Sequence, residues 1–427
     1  MEKIIQVLKK NPGIDDWIVT YREKKSTELF YIADRLETTR ETDTAAYNTT
    51  VYVDKDGRRG TAEFTCYDYM TEEEIAQKAE EAVYAASFAL NDAYGLPFEK
   101  AESIPESSSN LKGRNFREVM DAVVEAVFRA DCGEQGYLSA TEFFLYETKE
   151  HLVNSRGVDV SMTRYEGNIE LIPSWGRDEN EVETYYMLKF ETLDPEDITR
   201  QVEEQMALAK ARYEAKALEL KEPVKVIFQD EEAAAIFWYY AQEAGYLPKY
   251  NKTARYGIGD FVQGENLQGD PLNLKLVPYY PGAIDSRYFD GAGTVLSEVS
   301  VIENGIVKAL HGSYRFGCMI GEKKPTGNLP VAVVKEGTKS LSQMQETPYL
   351  RCVKFSDMQI ERNSGYFGGE VRLGFYFDGE KEIPVTGFAV SGNIRELGGK
   401  MVYSTETVTL ENYHGPRYLE IPGMEIE

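Results

Sequence analysis

Residues 224–246 read VKVIFQDEEAAAIFWYYAQEAGY. The segment Val224–Phe228 is typical of a short strand, and Gln229–Glu232 forms an acidic turn after it. The run of Ala, Ile and aromatic residues that starts at Ala233 predicts a buried helix that ends near Gly245. An aromatic cluster on such a helix is more typical of core packing or a subunit contact than of a ligand site.

The sequence after this helix is rich in strand signals. The turns Glu303-Asn-Gly-Ile306 and Phe377-Asp-Gly-Glu380 lie between apolar runs, and such turns are strong short-range signals for β-hairpins. We therefore predict a C-terminal domain over residues 221–427, made of antiparallel strands with the Ala233 helix inserted among them.

A first domain is predicted over residues 1–100, as an antiparallel sheet with packed helices. Thr71 and Glu74 form a capping box, which starts a helix with apolar residues at helical spacing. Four apolar segments before this helix predict strands: Trp17–Tyr21, Glu28–Ile32, Thr49–Val53 and Gly60–Tyr67.

A central α+β domain is predicted over residues 113–220, after a Ser- and Pro-rich linker at Pro97–Gly113. Asn115 caps the first helix of this domain. A second helix starts at Asp194 and is expected to continue until Pro223. The chain as a whole is therefore predicted to be α+β, with an N-terminal antiparallel sheet and packed helices followed by the β-rich C-terminal domain.

Composition excludes several classes of function. The chain has 427 residues and a formal net charge of -25, which argues against direct nucleic-acid binding because phosphates require a basic surface. We find neither a signal peptide nor a segment long enough to span a bilayer, and expect no membrane partner. The chain has four cysteines without CxxC spacing: Cys66, Cys132, Cys318 and Cys352. This scattered arrangement predicts reduced thiols in a cytoplasmic protein.

Five segments are similar to motifs of one known family, and they occur in the order of that family. In this chain they are LVNSRGVDVSMTRY (152–165), SRYFDGAGT (286–294), VIENGIVK (301–308), KPTGN (324–328) and IPVTGFAVSGNIREL (383–397). Together they resemble the TldD/PmbA family, whose members were called modulators of DNA gyrase and are related to metallopeptidases. Since the charge of the chain opposes direct DNA contact, any effect on gyrase is expected to be indirect, through processing of a peptide.

The resemblance implies a cytoplasmic dimer built around the C-terminal domain. In the active subunit, an HExxxH helix and a Cys near the C-terminus hold zinc, and the Glu activates a zinc-bound water. The peptide substrate is expected to bind in an extended form, which suits unfolded or disordered chains.

In this chain the resemblance places the motif on residues that cannot reproduce it. Phe237 stands for the first His, Trp238 for the Glu and Gln242 for the second His. A slip of one residue would not restore the motif, since no His lies between His151 and His311. The last cysteine, Cys352, precedes the segment that supplies the family's thiolate. We therefore expect no zinc, no other cofactor and no catalytic residue at these degenerate metal-site positions.

The remaining candidate residues are interpreted as structural or as part of a cavity. Tyr239 and Tyr240 are expected, with Phe237 and Trp238, to fill the former metal pocket or to touch the peptide. His414 lies in the C-terminal tail, where a replacement ligand is an alternative to a solvent-exposed turn residue, and we favour the turn. His311 is interpreted as structural, and the acidic turn Asp230–Glu232 needs no metal to explain it.

Three functional hypotheses follow. The leading one is a TldD/PmbA-family pseudoenzyme of proteolysis or peptide maturation, which partners an HExxxH paralogue and helps to bind extended peptide. The first alternative is a peptidase that is active alone through an unrecognised site. The second is a homodimeric peptide-binding protein without a catalytic partner. A metal count on the purified chain, repeated after mixing with a zinc-bearing relative, would separate these hypotheses best.

Overall fold

A computed structural model describes residues 1–98, 104–131, 133, 135–220 and 222–427. Cys132, part of the predicted Pro97–Gly113 linker and residue 221 of the predicted C-terminal domain lie outside the described residues. The architecture is α+β, as predicted. Within the described residues, no helix combines the length and the apolar character that a membrane crossing requires.

The strands between Asp16 and Phe190 form one antiparallel sheet. In chain order they are β1 (Asp16–Ile32), β2 (Arg35–Lys55), β3 (Arg58–Cys66), β4 (Leu90–Asp92), β5 (Gly136–Asn154), β6 (Asp159–Trp175), β7 (Val182–Glu183) and β8 (Tyr186–Phe190). Their order across the sheet is β4-β3-β2-β1-β5-β6-β7, and β8 pairs with β6. Because β1 pairs with β5 from Ile18 to Ile32, the ranges 1–100 and 113–220 share this sheet, and the boundary between them stays a prediction.

Four helices accompany this sheet: α1 (Glu2–Lys10), α2 (Glu72–Ala86), α3 (Phe116–Phe128) and α4 (Pro195–Glu214). The capping box of α2 is confirmed, because Glu74 N donates to Thr71 Oγ1 at 3.2 Å and Thr71 N donates to Glu74 Oε2 at 2.8 Å. The predicted caps Asn115 and Asp194 also accept hydrogen bonds from the first turns of α3 and α4. Local sequence therefore determines where these helices begin.

The prediction of two separate strands at Trp17–Tyr21 and Glu28–Ile32 is wrong. The two segments belong to one strand, β1, which continues through the polar residues between them. This polar stretch stays extended because it pairs with β2 on one side and with β5 on the other. Its backbone N–H and C=O groups are thereby satisfied without an apolar face.

The prediction that the second central helix continues to Pro223 is also wrong. The helix α4 ends at Glu214. The next residues, Lys216 and Ala217, form a short strand that pairs in parallel with Val385 and Thr386. Tertiary pairing therefore ends the helix nine residues before the proline.

The remainder of the chain adds fifteen strands and five short helices within the described residues. The strands are β9 (Lys216–Ala217), β10 (Lys225–Gln229), β11 (Leu274–Val277), β12 (Val299–Glu303), β13 (Ile306–Val307), β14 (Val331–Val334), β15 (Tyr349–Ile360), β16 (Tyr366–Phe377), β17 (Glu382–Thr386), β18 (Phe388–Asn393), β19 (Val402–Tyr403), β20 (Thr407–Leu410), β21 (Tyr413–Pro416), β22 (Tyr418–Ile421) and β23 (Glu425–Ile426). The helices are α5 (Asp230–Glu243), α6 (Tyr246–Tyr250), α7 (Tyr314–Met319), α8 (Leu341–Met344) and α9 (Ile394–Leu397).

These strands form a nine-stranded and a six-stranded sheet. The first has the order β19-β22-β10-β15-β16-β17-β9, in which β18 also pairs with β16 and β23 pairs with β18. The second has the order β13-β12-β11-β14-β21-β20. Both predicted hairpins are confirmed, and Asn304 and Gly305 have the positive φ angles, 49° and 74°, that such a tight turn requires. Most pairings are antiparallel, as predicted, but β9–β17, β10–β15 and β14–β21 are parallel.

The helix α5 lies in the largest apolar core of the C-terminal half. Ile236, Phe237 and Ala241 are fully buried there, together with Phe228 and Leu350 of the nine-stranded sheet. The same cluster includes Ala332 and Tyr413 of the six-stranded sheet. The predicted buried helix is therefore confirmed, but it spans Asp230–Glu243, so the prediction of a turn at Gln229–Glu232 is wrong. These acidic residues form the first turn of the helix, where carboxylates are favourable. The packing of α5 against both sheets fixes which of its faces remains accessible.

Three thiols lie within the described residues. Cys66 and Cys352 are buried, Cys318 is partly exposed, and none of the three is in a disulfide. Burial raises the pKa of the Cys66 and Cys352 thiols, so both are protonated, inert core residues at neutral pH.

Candidate functional site

A cavity of about 540 Å³ lies between α5, β8 and the turn that joins β20 to β21. One face of α5 lines it, through residues spaced three or four apart along the helix. The principal lining residues are Tyr186, Met187, Leu188, Lys189, Glu231, Ala234, Ala235, Trp238, Tyr239, Gln242, Ile360, Arg362, Thr409, Leu410, Glu411 and Asn412. The small side chains of Ala234 and Ala235 leave the space that this cavity occupies.

Trp238 and Gln242, two of the three positions that the resemblance assigns to the zinc motif, line the cavity. Trp238 is partly exposed, and its Nε1–H donates to Asn412 Oδ1 at 3.1 Å. Gln242 lies one turn further along the same face. This hydrogen bond fixes the indole ring against the β20–β21 turn, so the ring forms part of the cavity wall.

Phe237, the third of these positions, points into the core. Its ring is fully buried and stacks on Tyr413, with 5.9 Å between ring centroids and 11° between ring planes. The ring of Tyr403 packs edge-on against it at 5.0 Å. Phe237, Trp238 and Gln242 were expected to form one site, whereas the helix separates them onto two faces.

The two tyrosines that follow also differ in surroundings. Tyr239 lines the cavity, and its hydroxyl oxygen accepts a hydrogen bond from Arg395 Nε at 3.1 Å. Tyr240 is buried in the core, where its hydroxyl has no hydrogen-bond partner among the described residues. Of the four aromatic residues Phe237–Tyr240, therefore, only the middle two contribute to the cavity wall.

His414 is not the exposed turn residue that we favoured. It lies in β21, where its ring stacks on Tyr280 at 4.1 Å and its Nδ1 lies 2.9 Å from Thr409 Oγ1. Desolvation lowers the pKa of this imidazole. His414 is held behind the strand that borders the cavity, because the pairing of β21 with β14 and β20 positions it within a sheet.

The other two histidines also have local partners. His311 Nε2 lies 2.7 Å from the backbone carbonyl of Ala241 in the last turn of α5, which agrees with its interpretation as structural, and desolvation lowers its pKa. His151 lies on β5 with its Nε2 at 2.7 Å from Asp159. The three histidines are thus on separate elements.

The first turn of α5 carries ionisable groups with shifted pKa values. Burial raises the pKa of Glu232 to about 8, and the neighbouring Glu231 carboxylate adds to this effect. Although Glu231 remains accessible to water, it lies in a concave site where burial raises its pKa as well. Burial lowers the pKa of Lys354, which faces both carboxyl groups from β15. The carboxyl groups of this turn therefore lie in a partly enclosed site, in which Glu231 is exposed and Glu232 is half-buried.

Two strand edges border the cavity, and the sequence analysis missed both. Among the described residues, β8 pairs only with β6 and β20 pairs only with β21, so each has one unpaired edge. Lys189 at the end of β8 forms an ion pair of 2.8 Å with Glu411, next to β20. Only short alternating segments in the sequence signal these strands, and nothing signals that they lie together.

Comparison with known proteins extends these observations. No curated protein sequence matches this chain. Residues 221–427 match the model of the PmbA/TldA metallopeptidase C-terminal domain. A proposed modulator of a DNA gyrase from Thermotoga maritima has the same fold, with 18% identity, a TM-score of 0.79, and coverage of 100% of this chain and 99% of that chain.

Two further solved structures also match over the full chain. TldE from Thermococcus kodakarensis is 17% identical, with a TM-score of 0.81 and coverage of 100% of this chain and 99% of that one. A proposed modulator of DNA gyrase from Bacteroides thetaiotaomicron is 14% identical, with a TM-score of 0.82 and coverage of 100% and 97%. Residues 221–427 of this chain belong to the PmbA/TldD family. This membership implies a role related to proteolysis.

The zinc centre of TldD/PmbA peptidases does not fit the residues of this chain. Phe237 has no atom that could bind a metal, and the indole N–H of Trp238 donates a hydrogen bond to Asn412 Oδ1 and offers no lone pair to a metal. Within the described part of the chain, no three His, Cys, Asp or Glu side chains are grouped so that they could hold a metal ion. We therefore assign no step to zinc.

Three of the family motifs contribute to the scaffold rather than to the cavity. In the motif at 286–294, buried Asp290 accepts three hydrogen bonds of 3.0 Å from the backbone N–H groups of Ala292, Thr294 and Asn328. Asn328 belongs to another motif, at 324–328. Gly293 has φ 87°, and a Cβ there would lie 2.7 Å from Leu152 of the motif at 152–165. These TldD/PmbA motifs therefore lie against one another.

Proposed function

We propose that this chain is a non-catalytic subunit of a TldD/PmbA peptidase, which pairs with an HExxxH paralogue and forms one wall of the cavity that receives extended peptide. The observation that carries this proposal is the composition of the accessible face of α5. A cavity of about 540 Å³ lies against this face, while the positions that the resemblance assigns to zinc carry Trp238, Gln242 and the core residue Phe237. A chain of this kind binds peptide but has no group at those positions that activates water.

The two strand edges support binding of an extended peptide. The edges of β8 and β20 lie on either side of the cavity, and each presents backbone N–H and C=O groups that a peptide strand can pair with. Such pairing recognises the peptide through hydrogen bonds to its backbone rather than through its side chains. It therefore suits unfolded segments of varied sequence. Trp238 and Tyr239 supply flat apolar surfaces between these edges.

The experiment is a reconstitution with an HExxxH-bearing member of the TldD/PmbA family. Each protein alone and the equimolar mixture are incubated with an unstructured peptide, and cleavage is followed by mass spectrometry. We expect cleavage by the mixture, association in the micromolar range or tighter, and zinc bound in proportion to the relative only, as measured by plasma mass spectrometry.

Two outcomes would contradict the proposal in different ways. Turnover by this chain alone, abolished by mutation within the cavity, would support a peptidase with an unrecognised site. Failure of the two proteins to associate at micromolar concentration, combined with peptide binding by this chain alone, would support a homodimeric peptide-binding protein. A cavity variant that adds bulk on α5, Ala235→Trp, provides the matched control, since it should abolish peptide binding without affecting association.

A further inference from the structure

A second cavity, of about 340 Å³, adjoins the first at the N-terminal end of α5. It lies between α4, the first turn of α5, β15 and β20. Glu231, Tyr186, Gln201, Thr409 and Leu410 line both cavities. A peptide that follows the edge of β20 through the first cavity therefore meets the second one at its end.

The second cavity has unbalanced charge. Five acidic and three basic side chains line it, which leaves a formal excess of two negative charges. Arg417 pairs with Asp230 at 3.0 Å, and Arg200 pairs with Asp197 and with Glu204. In the described part of the chain, Glu231 and Glu232 have no ion-pair partner within 4.0 Å, although Lys354 faces them. Two adjacent carboxyl groups without a cation in contact repel each other, and a cationic guest in the cavity would offset that repulsion.

Gln205 provides an independent indication of a ligand. It belongs to the face of α4 that lines the second cavity, on which residues 197, 200, 201, 204, 205 and 208 are spaced three or four apart. Its side chain is only 8% exposed, and Oε1 has no hydrogen-bond partner among the described residues. A buried carbonyl oxygen without a donor is costly, so this atom points to a guest with N–H groups.

The side chains of the second cavity suit an organic cation better than a metal ion. No cluster of three His, Cys, Asp or Glu side chains with metal-binding geometry occurs among the described residues. The cavity volume suits a group of the size of one amino acid residue. A primary ammonium carries three N–H donors, which matches the two carboxyl groups and the amide oxygen in number and in charge.

We propose that the second cavity binds a primary ammonium group of the peptide, through Glu231, Glu232 and Gln205. This inference rests on the proposed peptide-binding function and deepens it, since it gives the extended peptide a charged anchor at one end of its groove. The ammonium is either the N-terminus of the peptide or a lysine side chain.

The test compares three C-terminally labelled octapeptide amides by fluorescence anisotropy. The first has an unmodified N-terminus and no lysine, the second is N-acetylated without lysine, and the third is N-acetylated with one lysine. We expect the first or the third to bind the wild-type chain about tenfold more tightly than the second, the size of one charge-assisted contact. The variant E231Q/E232Q should bind all three with equal affinity. The control E203Q/E214Q removes two exposed charges of α4 outside the cavity and should retain the tenfold difference.

A second measurement separates failure of the cavity from failure of the proposed function. Methylammonium chloride is titrated into the chain without peptide, against sodium chloride at equal ionic strength. We expect it to raise the Tm of the wild type and of E203Q/E214Q but not of E231Q/E232Q. If no peptide binds and methylammonium still stabilises the wild type, the cavity assignment stands and the proposed function fails. If all three peptides bind equally and methylammonium has no specific effect, the cavity assignment is overturned.

Discussion

Phe237 stacks on Tyr413 at 5.9 Å between ring centroids, and this contact joins α5 to the C-terminal tail. The family resemblance implies that the same helix and the same tail supply zinc ligands in the active subunits. In this chain an aromatic contact connects them instead. The contact belongs to the core rather than to the accessible cavity, so its loss is expected to affect stability before it affects binding.

The Phe237→Ala variant should destabilise the chain by about 3–5 kcal/mol, because it removes a fully buried ring between Tyr403 and Tyr413. Urea unfolding monitored by circular dichroism would measure this. Phe88→Ala is the control, since that ring is 71% exposed, and it should change the free energy of unfolding by less than about 0.5 kcal/mol. A loss below about 1 kcal/mol for Phe237→Ala would contradict the described packing.

The Asp290→Ala variant should lower the free energy of unfolding by at least about 2 kcal/mol, because it leaves three backbone N–H groups without their acceptor. Asp290→Asn retains one side-chain oxygen, so its stability should lie between that of Asp290→Ala and that of the wild type. The exposed Asp34 provides a matched control, as Asp34→Ala. Equal stability of all three variants in chemical denaturation would show that the turn at 286–294 is not held by this carboxylate.

The Glu232→Gln variant should reveal the raised pKa of this carboxyl group. The folded pKa is about 8, whereas an unfolded Glu titrates near 4.3. Between these values only the folded state retains the proton, so the wild type loses stability as the pH rises from about 4.3 to about 8. The neutral amide avoids this loss. We expect Glu232→Gln to be more stable than the wild type at pH 9, on the order of 2 kcal/mol.

A control for that experiment is the low-pH range, where the difference in stability between Glu232→Gln and the wild type should disappear. Below about pH 4.3 the wild-type carboxyl is protonated in both states, so the two curves should converge there. Glu203→Gln, at an exposed position of α4, should follow the wild type at every pH. If the free energy of unfolding of Glu232→Gln differs from that of the wild type by the same amount at every pH, the effect comes from packing rather than from titration. The neighbouring charged groups Glu231, Asp230 and Lys354 are unchanged in this variant.

The ion pair between Lys189 and Glu411 should contribute only modestly, because both side chains are partly exposed. A double-mutant cycle with Lys189→Ala and Glu411→Ala is expected to give a coupling of about 0.5–1 kcal/mol at low salt. The coupling should fall as salt is added, since screening weakens accessible pairs. A coupling that is unchanged in 1 M salt would mean that the two side chains are more buried than described.

Sequence patterns predicted the elements of this protein better than their contacts. The capping box at Thr71, the caps of α3 and α4 and the tight turn at Asn304 are local signals, and all are confirmed. The length of β1 could not be predicted, because its polar middle is held only by strands from distant parts of the chain. Likewise, α4 ends where Lys216 pairs with a strand that follows it by about 170 residues.

The candidate site was predictable only in part for the same reason. The position of α5 and its aromatic cluster follow from residues 224–246, but the sequence does not show that Phe237 and Trp238 lie on different faces relative to the cavity. The walls formed by β8 and β20 come from segments more than 200 residues apart. The electrostatic character of Glu232 depends on Lys354 and on the enclosing α4, and neither is near it in sequence.

The ladder between β1 and β5 has a consequence for how the protein folds. Residues 18–32 cannot complete their pairing until residues 140–154 have been synthesised. During synthesis, therefore, one edge of the N-terminal hairpin stays unpaired. Long-range pairing of this kind slows folding and leaves an edge exposed to other chains. A polypeptide cut within the 97–113 segment should therefore aggregate, even though that segment looks like a natural point of separation.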